Sequence, residues 1–361
     1  MTILNKVTQE KLASVAVYNK REIKRQGQQI LMTPRSEKIN PIVISASKFE
    51  QRKQDIPQKI ISQSAEEVLF SNPQTSADLL QQSGQVYVQK SQQGGGSPLI
   101  RGFSTNRLLI TVDGVRMNNA IFRGGNLQNV ISIDPLSIDH TEVILGPGSV
   151  VYGSDAIGGV MNFYTKKPQF ALDSTLFSGN AVVRYATANN ENTAHLDFNY
   201  GTEKFAAVTS ISTNSFGDLN MGSHGPDEYL RNQYVDRIDG QDALINNDDP
   251  EKQIPTAYDQ INLLQKFSYQ PNQRWGFDMG LIYTATGNFS RYDALTRFRA
   301  NGNPRSAQWY YGPQKWLMAN AKATHRGDGK WYDKAIFSQA YQQFQESRNN
   351  RSFQEPDLFQ T

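Results

Sequence analysis

After Pro168 the chain alternates apolar and polar residues in a succession of extended runs. Apolar residues occupy every second position through two of these runs, namely Trp275, Phe277, Met279, Leu281, Tyr283 and Ala285, and then Ala194, Leu196, Phe198 and Tyr200. Alternation with a period of two predicts strands that have one apolar and one polar face. The same pattern recurs at residues 176–187, 205–215, 258–269, 315–325 and 331–344. A succession of such strands is typical of a transmembrane β-barrel.

The connections between these runs differ in length in a regular way. Residues 201–204, 270–274 and 326–330 form short connections, whereas residues 217–256 and 288–314 form long ones. Outer-membrane barrels have tight turns on the periplasmic side and long loops outside the cell. If the residues before the first strand are periplasmic, the three short connections lie in the periplasm and both long ones lie outside.

The chain before Pro168 has a different pattern, in which short β-branched runs are separated by glycine. Asp113-Gly114 stands between two such runs and predicts a hairpin with positive φ at both turn residues. Ser64 and Thr75 each begin a capping-box sequence, which predicts short helices near 65–70 and 76–82. Further strands are predicted at Val86–Val88, Ile110–Val112, Val115–Met117, Thr141–Leu145 and Val160–Tyr164. These elements predict a compact mixed α/β domain.

Four glycine-containing blocks follow one another in this domain. They are Ile100-Arg101-Gly102-Phe103, Val112-Asp113-Gly114-Val115, Glu142 to Gly153, and Gly158-Gly159-Val160-Met161-Asn162. Their order and spacing resemble the plug domain of TonB-dependent outer-membrane receptors. The resemblance implies a mixed α/β plug domain followed by an antiparallel transmembrane β-barrel. The residues alone would also suit a soluble mixed domain with glycine-rich turns, but not a P-loop, because G-x-x-x-x-G-K-[ST] is absent.

The resemblance also implies a division of the chain. We expect a plug domain at 49–168 and the first part of a barrel, about seven strands, at 169–361. Residues 1–40 are polar and form either a solvated tail or the end of a small β-sandwich module, with Gln29 to Thr33 as its last strand. The N-terminus lacks the apolar core of a secretory signal, and a plugged lumen needs about 22 strands. We therefore expect a piece of a longer receptor.

Residues 41–48 resemble the TonB box, the segment that couples these receptors to an inner-membrane partner. An extended peptide with unpaired backbone groups can add as a strand to the sheet of another protein. The residues expected to bind TonB are Ile42, Val43, Ile44, Ser45 and Ala46. A strand that ends the upstream module is the alternative interpretation.

Two blocks in the second long connection indicate a substrate. Ser290 to Thr296 and Gln308 to Pro313 resemble loops of receptors for haem, haemoglobin and transferrin-type iron sources. Haem commonly takes a histidine ligand, and His224 is the histidine that lies in a predicted outer loop. His140, His195 and His325 lie in or beside strands, where a structural role is expected. The resemblance thus implies uptake of haem or of a haem- or iron-carrying protein, with a siderophore or another nutrient as the alternative.

Two sets of plug residues have expected roles. The resemblance places Asn118, Asn119, Phe122 and Arg123 at the plug apex, facing the substrate. Arg101 and Arg116 lie in a domain that the barrel surrounds, and a buried guanidinium needs a partner. We expect these two arginines to pair with carboxylates of the barrel lumen and latch the plug.

Composition and charge limit the remaining classes. The net charge of +3 is nearly balanced, so no nucleic-acid partner is expected. There is no cysteine and therefore no disulfide or thiolate metal site. We expect no metal site, no cofactor and no enzyme activity, with haem or an iron complex as transported substrate. The expected partners are the periplasmic domain of TonB and lipids of the Gram-negative outer membrane, with the N-terminus in the periplasm.

Two other classes of protein have some of these features. A passive porin or adhesin would have the barrel, but not the plug blocks or the TonB-box-like segment. A secreted glycan-active enzyme would need converging carboxylates, and the acidic pairs Asp227/Glu228 and Asp248/Asp249 both lie in one predicted loop. The sequence therefore favours a receptor over either class.

Overall fold

The computed structural model describes residues 58–90, 92–117 and 129–360, Ile56, and the backbone of six short strands before residue 53. The chain forms two compact units, Met1–Lys59 and Ile60–Thr361. Within the first unit β1 pairs with β4, β2 with β3 and β5 with β6, all antiparallel. Their bounds are Ala16–Val17 (β1), Lys24–Gln26 (β2), Gln29–Leu31 (β3), Arg35–Ser36 (β4), Ile42–Val43 (β5) and Gln51–Arg52 (β6). The rest of the predicted polar segment 1–40 lies outside the described residues.

The second unit begins with a five-stranded mixed sheet, in the order β11–β10–β13–β12–β7. Only the pairing of β10 with β13 is parallel in this sheet. Two further strands, β8 and β9, pair with each other. The bounds are Ile60–Ser64 (β7), Tyr87–Gln89 (β8), Ser97–Leu99 (β9), Leu108–Val112 (β10), Val115–Arg116 (β11), Ile138–Leu145 (β12) and Gly159–Thr165 (β13). The helices are Ala65–Ser71 (α1), Ser76–Gln82 (α2) and Ser149–Tyr152 (α3).

The local signals read from the sequence are confirmed here. Ser64 and Thr75 accept from the backbone N–H three residues on, and Glu67 and Asp78 accept from the cap residues in return. Both helices therefore begin at complete capping boxes, which satisfy otherwise unpaired N–H groups. Asp113 and Gly114 have φ of 51° and 81°, as the two-residue hairpin between β10 and β11 requires.

Loss of the second capping box should loosen α2 locally. Thr75→Ala removes the hydroxyl that accepts from the Asp78 N–H, and such a change costs about 1 kcal/mol. We expect amide hydrogen exchange across 76–82 to become about fivefold faster, while Thr75→Ser keeps the hydroxyl and the wild-type rate. Equal rates in both variants would contradict a stabilising cap.

The chain then builds a seven-stranded antiparallel sheet, in the order β14–β15–β16–β21–β22–β25–β26. The bounds are Leu176–Ala186 (β14), Glu191–Gly201 (β15), Phe205–Phe216 (β16), Tyr258–Tyr269 (β21), Trp275–Thr286 (β22), Lys315–Arg326 (β25) and Lys334–Gln345 (β26). These seven strands are the seven that alternation predicts. The connections are likewise short at 202–204 and 270–274, and long at 217–257 and 287–314.

The sheet has its polar face toward the plug and its apolar face outward. Along β15 the side chains of Glu191, Thr193, His195, Asp197 and Asn199 are buried, whereas those of Leu196, Phe198 and Tyr200 are exposed. This arrangement reverses that of a soluble sheet and suits a wall whose outer surface meets lipid. No helix among the described residues is long and apolar enough to cross a bilayer.

The long connections fold into small sheets of their own at one end of the strands. In the first, β17 (Leu219–Asn220) pairs with β20 (Lys252–Gln253), and β18 (Gln233–Ile238) with β19 (Gln241–Asn246). A four-stranded sheet has the order β23–β24–β27–β28. Its strands are Phe289–Ser290 (β23), Ser306–Tyr311 (β24), Arg348–Ser352 (β27) and Phe359–Gln360 (β28), with helix α4 at Tyr292–Leu295.

Candidate functional site

A buried chain of polar contacts joins the plug to the barrel wall at β15. Lys166, at the end of the plug, places Nζ 2.5 Å from Asp197 Oδ2. The same oxygen lies 3.0 Å from His195 Nε2, and His195 Nδ1 lies 2.7 Å from Ser212 Oγ on β16. The Ser212 hydroxyl then donates to Asp134 Oδ2 of the plug at 2.6 Å. The chain of contacts therefore leaves the plug at Lys166 and returns to it at Asp134.

A second ion pair connects the plug hairpin to β21. Lys266 Nζ lies 2.8 Å from Asp113 Oδ2 and donates to the Thr165 carbonyl at 3.2 Å. Asp113 also accepts from the Thr165 N–H and hydroxyl, so its carboxylate ties the hairpin to the end of β13 as well. The aspartate that sets the hairpin turn thus serves as a contact to the barrel.

The third contact lies at the other end of β15. Glu191 is fully buried, pairs with Arg184 Nη2 at 2.5 Å, and accepts from Gln74 Nε2 at 2.6 Å. Arg184 also donates to the Pro73 carbonyl and to Asn72 Oδ1, both in the link between α1 and α2. One carboxylate and one guanidinium of the barrel therefore hold the plug's helical corner.

Neutral hydrogen bonds complete the interface. Gln260 and Thr284 of the barrel donate to the backbone carbonyls of Ile131 and Ser132. Packing adds to these contacts at the outer end of the plug, where Gly94 lies against Phe289. A Cβ at Gly94 would lie 3.0 Å from the Phe289 side chain, so a larger residue there would require Phe289 to shift.

The outer loops are tied to each other by a buried ion pair. Both Arg351 Nη atoms lie 2.7 Å from the carboxylate of Asp242, and both side chains are almost fully buried. Asp242 also accepts from the Gln354 N–H. The charged hydrogen bonds from Arg351 hold the pKa of Asp242 below its usual value. The pair joins hairpin β18–β19 to β27.

Acid should therefore separate these two loops. A carboxyl group with a depressed folded pKa stabilises the fold above its unfolded pKa, and this contribution is lost as pH falls through the folded pKa. We expect pepsin cleavage within 217–257 to rise sharply once pH falls below the ordinary value of 3.8. Asp242→Asn should show that cleavage already at higher pH, while Asp239→Asn, at the exposed hairpin turn, should follow the wild type. Identical profiles for the wild type and Asp242→Asn would rule out this pair as the link.

Arg101 and Arg116, which were expected to pair with carboxylates of the barrel, do not do so among the described residues. Arg116 Nη2 lies 2.6 Å from Asp155, a carboxylate of the plug itself, and not of the barrel. Its backbone carbonyl accepts from Gln342 of β26. Arg101 is exposed and has a positive φ of 50°. Among the described residues, the ion pairs that cross to the barrel are made by Lys166 and Asp113 of the plug, and no sequence pattern marks these two for this role.

The other predicted site residues are placed as follows. His224 is exposed in the long connection between β16 and β21. Of the TonB-box-like segment, the structure gives the backbone of β5, and Ile44, Ser45 and Ala46 lie outside the described residues. The expected apex residues Asn118, Asn119, Phe122 and Arg123 lie outside them too.

Comparison with known proteins identifies the domain at the start of the second unit. Residues 52–160 match the family described as TonB-dependent Receptor Plug Domain. The match identifies this part of the chain as a receptor plug domain, and the chain as a whole shares the fold of solved outer-membrane receptors.

The names of the similar proteins mention different substrates. The vitamin B12 transporter BtuB of Vibrio vulnificus is 27% identical over 265 residues, which cover 72% of this chain and 36% of the relative. The copper transporter OprC shares the fold with a TM-score of 0.57 at 15% identity, over 80% of this chain and 38% of that one. The ferripyoverdine receptor of Pseudomonas aeruginosa has a TM-score of 0.55 at 12% identity, over 91% and 44%. The chain thus spans less than half the length of these proteins.

Proposed function

We propose that this chain takes part in TonB-dependent uptake of an iron source, haem or a haem- or iron-carrying protein, across the outer membrane. The observation that carries the proposal is the plug–barrel interface, which is made of ion pairs and hydrogen bonds that can break and re-form. A ligand bound at the outer loops would favour the plug state that binds it better, because a ligand shifts an equilibrium only by its differential affinity. That state would release residues 41–48 for capture by TonB, and a pull on this segment would rearrange the plug.

The iron source is favoured by the outer loops. His224 is an exposed histidine on this surface, and neutral imidazole is a common haem ligand. The two loop blocks that resemble haem and haemoglobin receptors form β23, α4 and β24, directly over the plug. A siderophore or another nutrient is the alternative, and the names of the similar proteins support it.

Coupling to TonB can be tested by capture on the immobilised periplasmic domain of TonB. Deletion of 41–47 should abolish capture of the receptor, because the added strand would be missing. Deletion of 34–40 removes the same number of residues and should leave capture intact. Full capture after the first deletion would contradict the assignment of the box.

The substrate can be tested by growth of a host that lacks other iron receptors. Growth on haemin that depends on this receptor and on TonB supports the haem assignment, and growth on ferric siderophores alone supports the alternative. His224→Ala should slow growth on haemin, whereas replacement of buried His195 would disturb the plug contacts instead. Unchanged growth of His224→Ala would remove this histidine from the ligand site.

A further inference from the structure

Three arginines lie against aromatic rings where the outer loops cover the plug. Arg291 and Arg348 each place their guanidinium carbon 4.8 Å from the centre of the Trp309 ring. The guanidinium of Arg231 lies 5.6 Å from the centre of the Tyr292 ring. Because Tyr292 directly follows Arg291, the two stacks are neighbours. We refer to these five residues as the arginine–aromatic cluster.

Two of the three guanidinium groups have no carboxylate partner in the part of the chain that the structure describes. Arg291 is neutralised by Asp293, whose Oδ1 lies 2.9 Å from Nε. Among the residues that the structure describes, no carboxylate lies within ion-pair distance of Arg348 or Arg231. Arg231 is only 5% exposed, and burial lowers its pKa. A buried cation without a counter-ion is unfavourable, and an anion at this place would offset that cost.

The sequence around the cluster keeps this surface positive. Residues 287–314 contain four arginines, no lysine and a single carboxylate, Asp293. That carboxylate is already shared between Arg291 and Arg297. No acidic side chain of this connection is therefore left over for Arg348 or Arg231.

The cluster faces the plug. Tyr311 pairs directly with both Phe289 and Arg348, and Trp309 stands two residues before Tyr311, so these side chains share one face of the outer sheet. Phe289 on that face is the residue that packs against Gly94 of the plug. A ligand held by Arg348 and Trp309 would therefore lie beside the plug's glycine run.

A guanidinium that lies over an aromatic ring can still bind an anion. It carries five N–H donors, and the electrostatic attraction to the ring does not require any of them as a hydrogen bond. Those donors match the two oxygens of a carboxylate, which Arg binds in a bidentate way. We propose that the arginine–aromatic cluster binds a carboxylate of an anionic metal chelate through Arg348, with Arg231 as a second positive charge. This inference rests on the proposed uptake function and adds the functional group by which the substrate is recognised.

The experiment compares two probes that differ only in their carboxylates. Haemin has two free carboxylates, and haemin dimethyl ester has the same ring and iron with both blocked. Binding to the receptor that carries this chain is followed in detergent by quenching of tryptophan fluorescence, with ferric citrate as a second carboxylate chelate. We expect haemin to bind the wild type at least tenfold more tightly than the ester.

Variants of Arg348 test whether this residue causes the tighter binding of haemin. Arg348→Gln should weaken haemin binding about tenfold and leave ester binding unchanged, and Arg348→Lys should recover only part because it lacks the planar fork. Arg237→Gln is the matched control, since Arg237 is exposed on the same outer surface and donates to the Gly240 carbonyl. Arg348 is exposed, so its replacement tests the site even if the buried Arg231→Gln variant fails to fold.

The proposal is overturned if haemin and its ester bind equally well, or if Arg348→Gln binds haemin as the wild type does. Absence of binding by both haemin and ferric citrate would also overturn it. TonB capture through residues 41–47 is measured without any of these probes. Failure of the carboxylate site is therefore distinguishable from failure of the uptake function.

Discussion

Replacing Asp197 with alanine is expected to weaken the attachment of the plug to the barrel by about 3 kcal/mol. The change leaves Lys166 and His195 facing each other at 3.5 Å, without the carboxylate that now lies between them. Removal of one partner from a buried ion pair is strongly destabilising because the other charge stays buried. The loss should open the path between plug and wall at β15.

Hydrogen exchange and membrane leakage measure this effect. Amides at 134–137 and at Lys166 should exchange faster, and cells should admit a large antibiotic that the intact outer membrane excludes. Asp278→Ala is the matched control, because Asp278 also faces the lumen and pairs with a lysine, Lys322, on the barrel wall. Lys166→Met combined with Asp197→Leu should restore much of the stability, since apolar residues can replace a buried pair. If Asp197→Ala and Asp278→Ala behave alike, the contact at β15 does not hold the plug.

Replacing Glu191 with alanine should have an effect of similar size at the opposite end of β15. Arg184 would stay buried with the Pro73 carbonyl and Asn72 as acceptors, and Gln74 would lose its strongest contact. We expect a loss of about 3 kcal/mol, localised to the link between α1 and α2.

Exchange of the amides of residues 72–75 should report this loss. Glu203→Ala, in the exposed turn 202–204, removes a carboxylate from the same sheet and should change nothing. Because Glu191 and Asp197 lie on one strand and touch different parts of the plug, their effects should add in the double variant. A purely global loss of stability in Glu191→Ala, spread evenly over the plug, would contradict a local clamp.

Signals carried by neighbouring residues predicted most of this fold. Period-two alternation located all seven wall strands, the capping boxes located α1 and α2, and Asp113-Gly114 located the hairpin. Each of these patterns is confined to a few positions of the chain, so it can be read without knowledge of the tertiary structure. The outer sheet was missed because β23, β27 and β28 are short, and β24 pairs with β27 about forty residues away.

The contacts that hold the plug could not be predicted from the sequence for a related reason. The partner of Arg116 is Asp155, which is as ordinary in sequence as any other aspartate. Asp134 and Ser212 come together only when the plug lies inside the curved wall. His195 was assigned a structural role from its place in a strand, yet its link to both Ser212 and Asp197 depends on the register of β15 and β16. Charge pairing between distant segments follows from the tertiary fold, and a single sequence does not encode it in any local pattern.

The parallel pairing at the centre of the plug sheet bears on how the protein folds. Strand β10 pairs with β13 some fifty residues later, and β7 pairs with β12 about eighty residues later. Neighbouring wall strands such as β14 and β15 meet through a turn at 187–190. Closing long loops costs more chain entropy than closing short ones. Hairpins of the wall should therefore form quickly, whereas the plug sheet should form slowly and only once residue 165 is present, so the plug should stay unfolded for longer than a single wall hairpin takes to form.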